Sequence, residues 1–135
     1  MKKNHIQLLL FIFSIGLIMS SFTFYTPQED WVVPAKYKNM KNPTKAGVDM
    51  DIAKGLYEKH CKSCHGKSGL GDGSKSKELD TEAGDFSIAK FQGQSDGELF
   101  YKTTFGRDDM PAYDKKIASD EDRWLVVNYL RTFKK

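Results

Sequence analysis

Both cysteines of this 135-residue chain lie in one pentapeptide, which restricts what the chain can fold around. The pentapeptide is Cys61-Lys62-Ser63-Cys64-His65, with its two thiols about one helical turn apart. Thiols at this spacing can add to the two vinyl groups on one edge of a haem, and His65 then reaches the iron from below the ring. Cys-x-x-Cys-His is the motif of c-type haem attachment. It predicts one covalent haem c, held by Cys61 and Cys64, with His65 as an axial ligand.

Three other uses of a Cys-x-x-Cys pair explain the pattern less well. A structural zinc site needs about four ligands in tetrahedral geometry, and near the two cysteines only His60 and His65 are available. A thioredoxin-like redox pair belongs in a βαβ context, whereas the surroundings here indicate helix and glycine-rich loop. A disulfide across the two-residue gap would explain neither His65 nor the four glycines of residues 66–73, the glycine loop.

A haem iron bound by one histidine either takes a second axial ligand or keeps an open position for a gas. Met110 is the best candidate for the second ligand, because it stands in the polar loop 107–111, where a methionine has little reason to be buried for packing. Pro111 restricts the residue before it to extended conformations, which would hold the sulfur on a stiff segment. Met40 and Met50 precede the attachment motif and have no such segment.

Ligation by His65 and Met110 would determine the chemistry of the iron. A thioether is a soft ligand, so it favours ferrous over ferric iron and raises the reduction potential relative to two histidines. An iron with both axial positions filled changes little in geometry on oxidation. We therefore expect an electron-transfer protein and not an enzyme. The rival hypothesis, a gas- or peroxide-binding haem protein, is disfavoured because the only histidine after Cys64 is His65 itself.

The N-terminus has the pattern of an export signal. Lys2 and Lys3 precede a mainly apolar stretch, residues 6–19, and small residues follow it, which is the order found in secretory signal peptides. Counted over residues 6–25, the stretch is long enough to span a bilayer, which takes about 20 residues. Residues 1–21 are therefore either a cleaved signal peptide or a retained membrane anchor. Both alternatives place the remainder on the periplasmic side of a bacterial inner membrane.

The charge balance gives no indication of nucleic-acid binding. The chain has 21 basic and 18 acidic residues, and residues 1–21 contribute two of the basic ones and no acid. A nucleic-acid-binding domain needs a concentrated basic footprint. The remainder, about 110 residues, can form only a limited core, to which an internal apolar cofactor would add.

Local patterns divide the exported part into a linker and a helical domain. Residues 22–48 contain three prolines and read as an extended linker; its Trp31 and Tyr37 either wrap around the domain or meet a partner. Residues 49–135 form the domain, since apolar positions there recur with helical spacing. No stretch predicts a strand.

Capping patterns indicate where the helices of the domain begin. We predict helices over 49–61, with Asp49 as N-cap, over 95–105, and over 119–133. Ser95 with Glu98 is a capping-box pattern. Ser119 precedes three acidic residues, which favours a helix start because anions stabilise the N-terminal end of the helix dipole. A short helix near 74–80 is a further expectation.

From about residue 49 to residue 133 the chain resembles the class I cytochromes c of bacteria. In that family, a helix with an aromatic residue four positions before the first cysteine crosses a C-terminal helix that carries an aliphatic and an aromatic residue three apart. Tyr57 stands four before the first cysteine, and Ala53 replaces the usual small crossing residue. Val126 and Tyr129 match the C-terminal partner. The attachment motif and the Met-Pro pair fit as well.

The resemblance implies an all-α fold, with about three to four helices around one haem, crossing N- and C-terminal helices, and the haem edge exposed on one side. It implies an electron carrier between respiratory redox proteins, such as a quinol-oxidising complex and a terminal oxidase or reductase. A fixed donor subunit of a larger respiratory complex is a variant of this function.

The chain departs from the family after the attachment motif. Many members place a proline there, and its carbonyl accepts the ring N–H of the axial histidine. No proline occurs between Cys64 and Met110, so the acceptor for His65 must be another carbonyl, which the sequence does not identify.

Three further features each have two interpretations. Arg107 either binds a haem propionate or is a solvated loop charge. Trp124 packs either on the haem edge or in the core. Four lysines near the attachment motif either form a solvated face or steer acidic partners: Lys62, Lys67, Lys75 and Lys77.

Export can be tested directly on the mature protein. A reporter fused after Lys135 should be exported, because both readings of residues 1–21 carry the chain across the membrane. Mass spectrometry of the purified holoprotein should find a start near Phe22 if the segment is cleaved, or Lys2 and Lys3 if it is an anchor. A haem-loaded protein recovered from the cytoplasm would contradict both.

Overall fold

The computed structural model describes residues 30–135, in which helices alternate with long loops. Residues 1–29, including the expected signal peptide or anchor, lie outside this range. Helices in the described part are α1 Ala35–Lys38, α2 Met50–His60, α3 Lys62–His65, α4 Ala89–Gln92, α5 Asp96–Phe105 and α6 Asp120–Arg131, and a 3-10 turn occupies Ser76–Glu78. The only bridge among these residues is an isolated antiparallel one between Arg107 and Met110. The all-α prediction is confirmed.

Helices α2 and α6 cross at the centre of the fold, as the resemblance implied. Ala53 and Tyr57 of α2 are fully buried, and Val126 of α6 belongs to the same core cluster as Tyr57. The Tyr57 ring lies 5.2 Å from the ring of Tyr129 and 5.2 Å from that of Phe133. Its hydroxyl donates a hydrogen bond to the Gly66 carbonyl at 2.7 Å. The small side chain of Ala53 lets the two helices approach closely.

The core has two parts, each of which we name after one residue. The Cys61 cluster consists of Tyr57, Cys61, Phe86, Tyr113, Ile117, Val126 and Leu130. The Phe100 cluster consists of Leu99, Phe100, Trp124 and Val127, between α5 and α6. The Trp124 ring stacks on Phe100 with centroids 4.0 Å apart. Trp124 thus packs in the cluster that does not contain the attachment cysteine, which agrees with its interpretation as a core residue.

All three predicted N-cap residues stand directly before their helices, and two of them make the capping hydrogen bond. The Ser95 hydroxyl accepts from the Glu98 amide at 3.2 Å, and the Glu98 carboxylate accepts from the Ser95 amide at 2.8 Å, which completes the capping box. The Ser119 hydroxyl accepts from the Asp122 amide. Asp49 occupies the N-cap position of α2, as predicted, but its side chain makes no capping bond. Its backbone is left-handed, with φ of 52°, whereas a capping residue normally has an extended backbone.

The described part of the predicted linker packs on the domain. Val33 is buried, and the Asn42 side chain donates hydrogen bonds to the Asn128 side chain at 2.8 Å and the Trp124 carbonyl at 3.3 Å, both on α6. Residues 31–48 therefore belong to the same compact unit as the rest of the described chain. The proline pattern did not predict α1, which lies within this segment.

The aromatic residues of the segment contact α5 and the loop after it. The Tyr37 ring lies 4.8 Å from that of Tyr101, and the Arg107 guanidinium lies 4.7 Å from the centre of the Trp31 ring. Of the two interpretations, wrapping around the domain is therefore the one that Tyr37 and Trp31 adopt. Across residues 30–135, no helix has the length and apolar character needed to cross a membrane.

Candidate functional site

The attachment motif forms a tight turn directly after α2. Cys61 ends α2, and the one-turn helix α3 contains Cys64 and His65. Both cysteines are free thiols, Cys61 buried and Cys64 half-buried. Burial, with a smaller contribution from the neighbouring Cys64, raises the pKa of the Cys61 thiol to about 12. The disulfide considered as an alternative is not formed, and both sulfurs remain available.

The segment that follows the motif stabilises this turn through backbone hydrogen bonds. The Gly73 amide donates to the Cys64 carbonyl at 3.1 Å, and the Lys75 amide donates to the Ser63 carbonyl at 2.8 Å. A methyl group on Gly73 would lie 2.3 Å from the Ser63 carbonyl oxygen. Glycine is required here because the two backbones are too close for any side chain. The glycine loop thereby fixes the direction in which the cysteines and His65 project.

The His65 imidazole is poised as a neutral ligand. Its ring stacks on Phe86 with centroids 4.4 Å apart. Burial lowers the pKa of His65 to about 4, and the backbone of Ala83 acts weakly in the opposite direction. The imidazole is therefore uncharged near neutral pH, which is the form that binds a metal ion.

The Nδ1 atom of His65 is buried and has no hydrogen-bond partner of normal geometry. The Ala83 backbone nevertheless lies close enough to the ring to act on its pKa, in the raising direction. Ala83 is the nearest counterpart of the proline carbonyl that this chain lacks, although it has not closed a regular bond. The sequence could not identify Ala83, because every residue has a backbone carbonyl.

Met110 contacts the same core as the attachment motif. It is half-buried and packs against the Cys61 cluster. Residues 106–113 are here called the methionine loop. Two backbone hydrogen bonds close this loop: the Arg107 amide donates to the Met110 carbonyl at 2.8 Å, and the Met110 amide donates to the Arg107 carbonyl at 2.9 Å. Gly106 has φ of +63°, and a methyl group there would lie 2.3 Å from the Met110 carbonyl oxygen. The backbone on both sides of Met110 is thus closely constrained.

Two side chains join the methionine loop to other segments, and sequence reasoning missed both. The Asp109 carboxylate accepts from the amides of Asp80 at 2.8 Å and Thr81 at 3.0 Å. The Tyr113 hydroxyl donates to the His60 carbonyl at 2.6 Å. An aromatic residue three positions after Met110 in an otherwise polar loop was the signal that could have identified Tyr113.

Tyr113 lies beside the attachment cysteines. It is buried in the Cys61 cluster. Its pKa is raised to about 12, mainly by burial and then by the thiols of Cys61 and Cys64. The hydroxyl is therefore protonated at any physiological pH and acts as a hydrogen-bond donor.

The alternative methionines lie elsewhere. Met40 is 37% exposed, and its Cβ approaches Gly97 of α5. Met50 is the first residue of α2. Neither belongs to or packs on the Cys61 cluster, so Met110 is the methionine that packs there among those of residues 30–135.

The charged candidates lie at the surface or pair within the protein. Arg107 forms an ion pair with Asp108 at 3.1 Å in addition to its contact with Trp31. The four lysines singled out in the sequence are all exposed: Lys62, Lys67, Lys75 and Lys77. Their exposure is compatible with a solvated face and with a surface that steers partners.

A family comparison now identifies the domain. The model for "Cytochrome C oxidase, cbb3-type, subunit III" matches residues 48–130, which include both cysteines, His65 and Met110. The chain belongs to this family. It is a class I-like c-type cytochrome, a haem-binding electron-transfer protein, and the family implies covalently bound haem c.

Two solved structures resemble this cytochrome. One is a chain of the Kuenenia stuttgartiensis reducing HAO-like protein complex Kustc0457/Kustc0458, with a TM-score of 0.63, 26% identity, and coverage of 82% of this chain and 53% of that one. This cytochrome therefore spans about half the length of that chain. The other is the KustC0563 c-type cytochrome, with a TM-score of 0.53, 28% identity, and coverage of 62% and 98% respectively. Comparison with curated protein sequences gave no match.

The residues at the site fit haem c by their chemistry. Two unpaired thiols in adjacent turns suit thioether formation with the two vinyl groups. A neutral imidazole and a thioether that share one core are an accepted pair of axial ligands. The buried, unpartnered Nδ1 of His65 is a polar atom whose position the bare protein does not explain by itself.

The close contact at Gly73 yields a test with a matched control. Gly73→Ala should lower the free energy of unfolding by about 1–3 kcal/mol, because the added methyl overlaps the Ser63 backbone. Gly55→Ala, in α2, has nothing within 4 Å of its added methyl and should stabilise the protein by about 0.5–1 kcal/mol. For both variants, guanidinium unfolding measures the stability, and the haem content per chain measures whether the attachment motif still functions. Equal stability of Gly73→Ala and wild type would show that the backbone of Gly73 does not lie in close contact with the attachment motif.

Proposed function

We propose that this cytochrome carries single electrons between redox proteins outside the cytoplasm, with one haem c attached through Cys61 and Cys64 and its iron ligated by His65 and Met110. The observation that carries the proposal is the meeting of two distant segments. Met110 packs on the cluster that contains Cys61, although it stands far from the attachment motif in sequence. No other methionine in the described chain reaches that cluster.

The protein would contribute fixed ligands to the redox group. Haem c, when bound, supplies a one-electron iron couple. His65 is held neutral by burial and offers a nitrogen lone pair without first losing a proton. Met110 offers a soft sulfur donor, which favours the ferrous state.

The surrounding core would keep water out and limit rearrangement. Phe86, Ile117 and Leu130 are each less than a tenth exposed, and an apolar environment disfavours the additional positive charge of the ferric state. The glycine loop and the methionine loop are each closed by backbone hydrogen bonds. A site held in this way changes little between oxidation states, which suits transfer of electrons more than activation of oxygen.

The partners are proposed to be membrane-associated respiratory proteins: a quinol-oxidising complex as donor and a terminal oxidase or reductase as acceptor. The description of the family, a subunit of an oxidase, supports the variant in which the chain is a fixed donor within such a complex. The structural neighbour from a reducing HAO-like protein complex supports association with larger redox assemblies. Periplasmic location, soluble or anchored through residues 6–25, is proposed from the export signal.

Covalent attachment is tested by extraction. One haem per chain should remain with the polypeptide through acid-acetone extraction and denaturing electrophoresis, because thioether bonds survive both. Cys61→Ala with Cys64→Ala should abolish retention and leave an unstable protein. Ser63→Ala, an exposed position inside the same motif, serves as the control and should retain the haem. Release of haem from the wild type would contradict covalent attachment.

Ligation by Met110 is tested by its spectrum and by carbon monoxide. The ferric wild type should be low-spin and show the weak near-infrared sulfur-to-iron band, and the ferrous form should bind carbon monoxide poorly. Met110→Ala should abolish the band, raise the affinity for carbon monoxide at least about tenfold and lower the reduction potential, since the soft ligand is lost. Absorption spectra, gas titration and redox titration measure these quantities.

Two other methionines provide controls for that experiment. Met40→Ala and Met50→Ala should leave the band in place, because neither side chain packs on the Cys61 cluster. If the wild type binds carbon monoxide readily and Met110→Ala changes nothing, the gas-binding alternative becomes the better description of the protein.

A further inference from the structure

One hydrogen bond joins the methionine loop to the helix that carries the attachment motif. The Tyr113 hydroxyl donates to the His60 carbonyl at 2.6 Å. Tyr113 stands three residues after Met110, and His60 stands immediately before Cys61. The bond therefore joins a residue close to the proposed axial ligand Met110 with the residue directly before the proposed attachment point Cys61.

We propose that Tyr113 is a positioning residue, whose hydroxyl holds the methionine loop against the end of α2 and so keeps Met110 on the iron. The inference rests on the proposed ligation by Met110. It assigns to Tyr113 no contact with the iron. The residue acts only by fixing where the loop lies.

Other hydrogen bonds hold the methionine loop to α5 and to residues 80–81. The amides of Tyr113 and Asp114 both donate to the Thr104 carbonyl, at 3.1 and 3.2 Å, so the loop leaves α5 and returns to it. These bonds close the loop on itself but do not connect it to α2. The Asp109 carboxylate anchors the loop to the amides of Asp80 and Thr81, and the Tyr113 hydroxyl adds the bond that joins the loop to the end of α2.

The bond also satisfies an acceptor that would otherwise lack a helical partner. The carbonyls in the last turn of a helix have no amide within the helix to bind them, and His60 is the last residue of α2. Tyr113 is only 8% exposed, and removing its hydroxyl would leave the His60 carbonyl without this donor. In the substitution Tyr113→Phe, the aromatic ring would still fill its space in the Cys61 cluster, which separates the bond from the packing.

A simpler hypothesis is that the bond only stabilises the fold, and Tyr57 provides a matched comparison. Tyr57 is also buried, and its hydroxyl also donates to a backbone carbonyl, that of Gly66, at 2.7 Å. That bond lies between α2 and the glycine loop and does not involve the methionine loop. Tyr57→Phe and Tyr113→Phe therefore remove the same kind of bond, but only Tyr113→Phe should affect Met110.

The experiment follows the methionine band of the ferric holoprotein on heating, together with helical circular dichroism. For Tyr113→Phe, we expect the band to disappear well below the temperature at which the helices unfold, and ferrous carbon monoxide affinity to rise about tenfold. For Tyr57→Phe, the band and the helices should be lost together, with carbon monoxide affinity as in the wild type. Tyr113→Phe behaving like Tyr57→Phe would overturn the inference while leaving Met110 ligation intact.

A double variant tests whether Tyr113 acts through Met110. In a Met110→Ala background, Tyr113→Phe should produce no further rise in carbon monoxide affinity, because the ligand that the hydroxyl positions is already absent. An equal rise in both backgrounds would show a general loosening of the site and would overturn the inference. A wild type without the methionine band is a separate outcome, since it would refute the proposed ligation itself.

Discussion

The burial of Tyr57 is the contact on which the rest of the structure depends. Its ring lies between α2 and the C-terminal aromatic residues Tyr129 and Phe133, and its hydroxyl reaches the carbonyl directly after His65. One side chain therefore takes part both in the helix crossing and in the placement of the attachment motif. Burial is the main reason that its pKa lies far above the usual range, so the hydroxyl remains a donor.

The two proposed axial ligands are positioned by different means. His65 is placed mainly by sequence neighbours, since the glycine loop directly follows the motif and is bonded to it; Phe86 adds a ring contact from 21 residues further along the chain. Met110 is placed by contacts with distant segments, through Asp109 to residues 80–81 and through Tyr113 to α2. Each of these contacts spans tens of residues, so loop closure has to precede them. The sulfur ligand is consequently the one whose position depends on the complete tertiary structure.

The sequence was sufficient for features governed by local chemistry. The capping serines of α5 and α6 were identified correctly, because a hydroxyl three residues before an amide acts within one turn. The crossing of α2 and α6 was predicted from the family resemblance that Tyr57 and its partner residues carry. Asp49 has the right residue type for a cap, but its left-handed backbone prevents the bond, and backbone conformation is not encoded in residue type alone. The bond from Tyr113 to His60 and the approach of Ala83 to His65 involve carbonyls, which every residue possesses, so no pattern could reveal them.

The segment before α2 covers part of the surface of α6. Asn42 is bonded to Asn128 and to the Trp124 carbonyl, and Asn128 donates in turn to Thr44 at 2.9 Å. This network lays residues 42–44 along one flank of α6, and any partner would have to displace it to reach the helix there. A redox partner would therefore have to approach another part of the surface. A segment that reads as a simple spacer thus narrows the directions from which an electron can enter or leave.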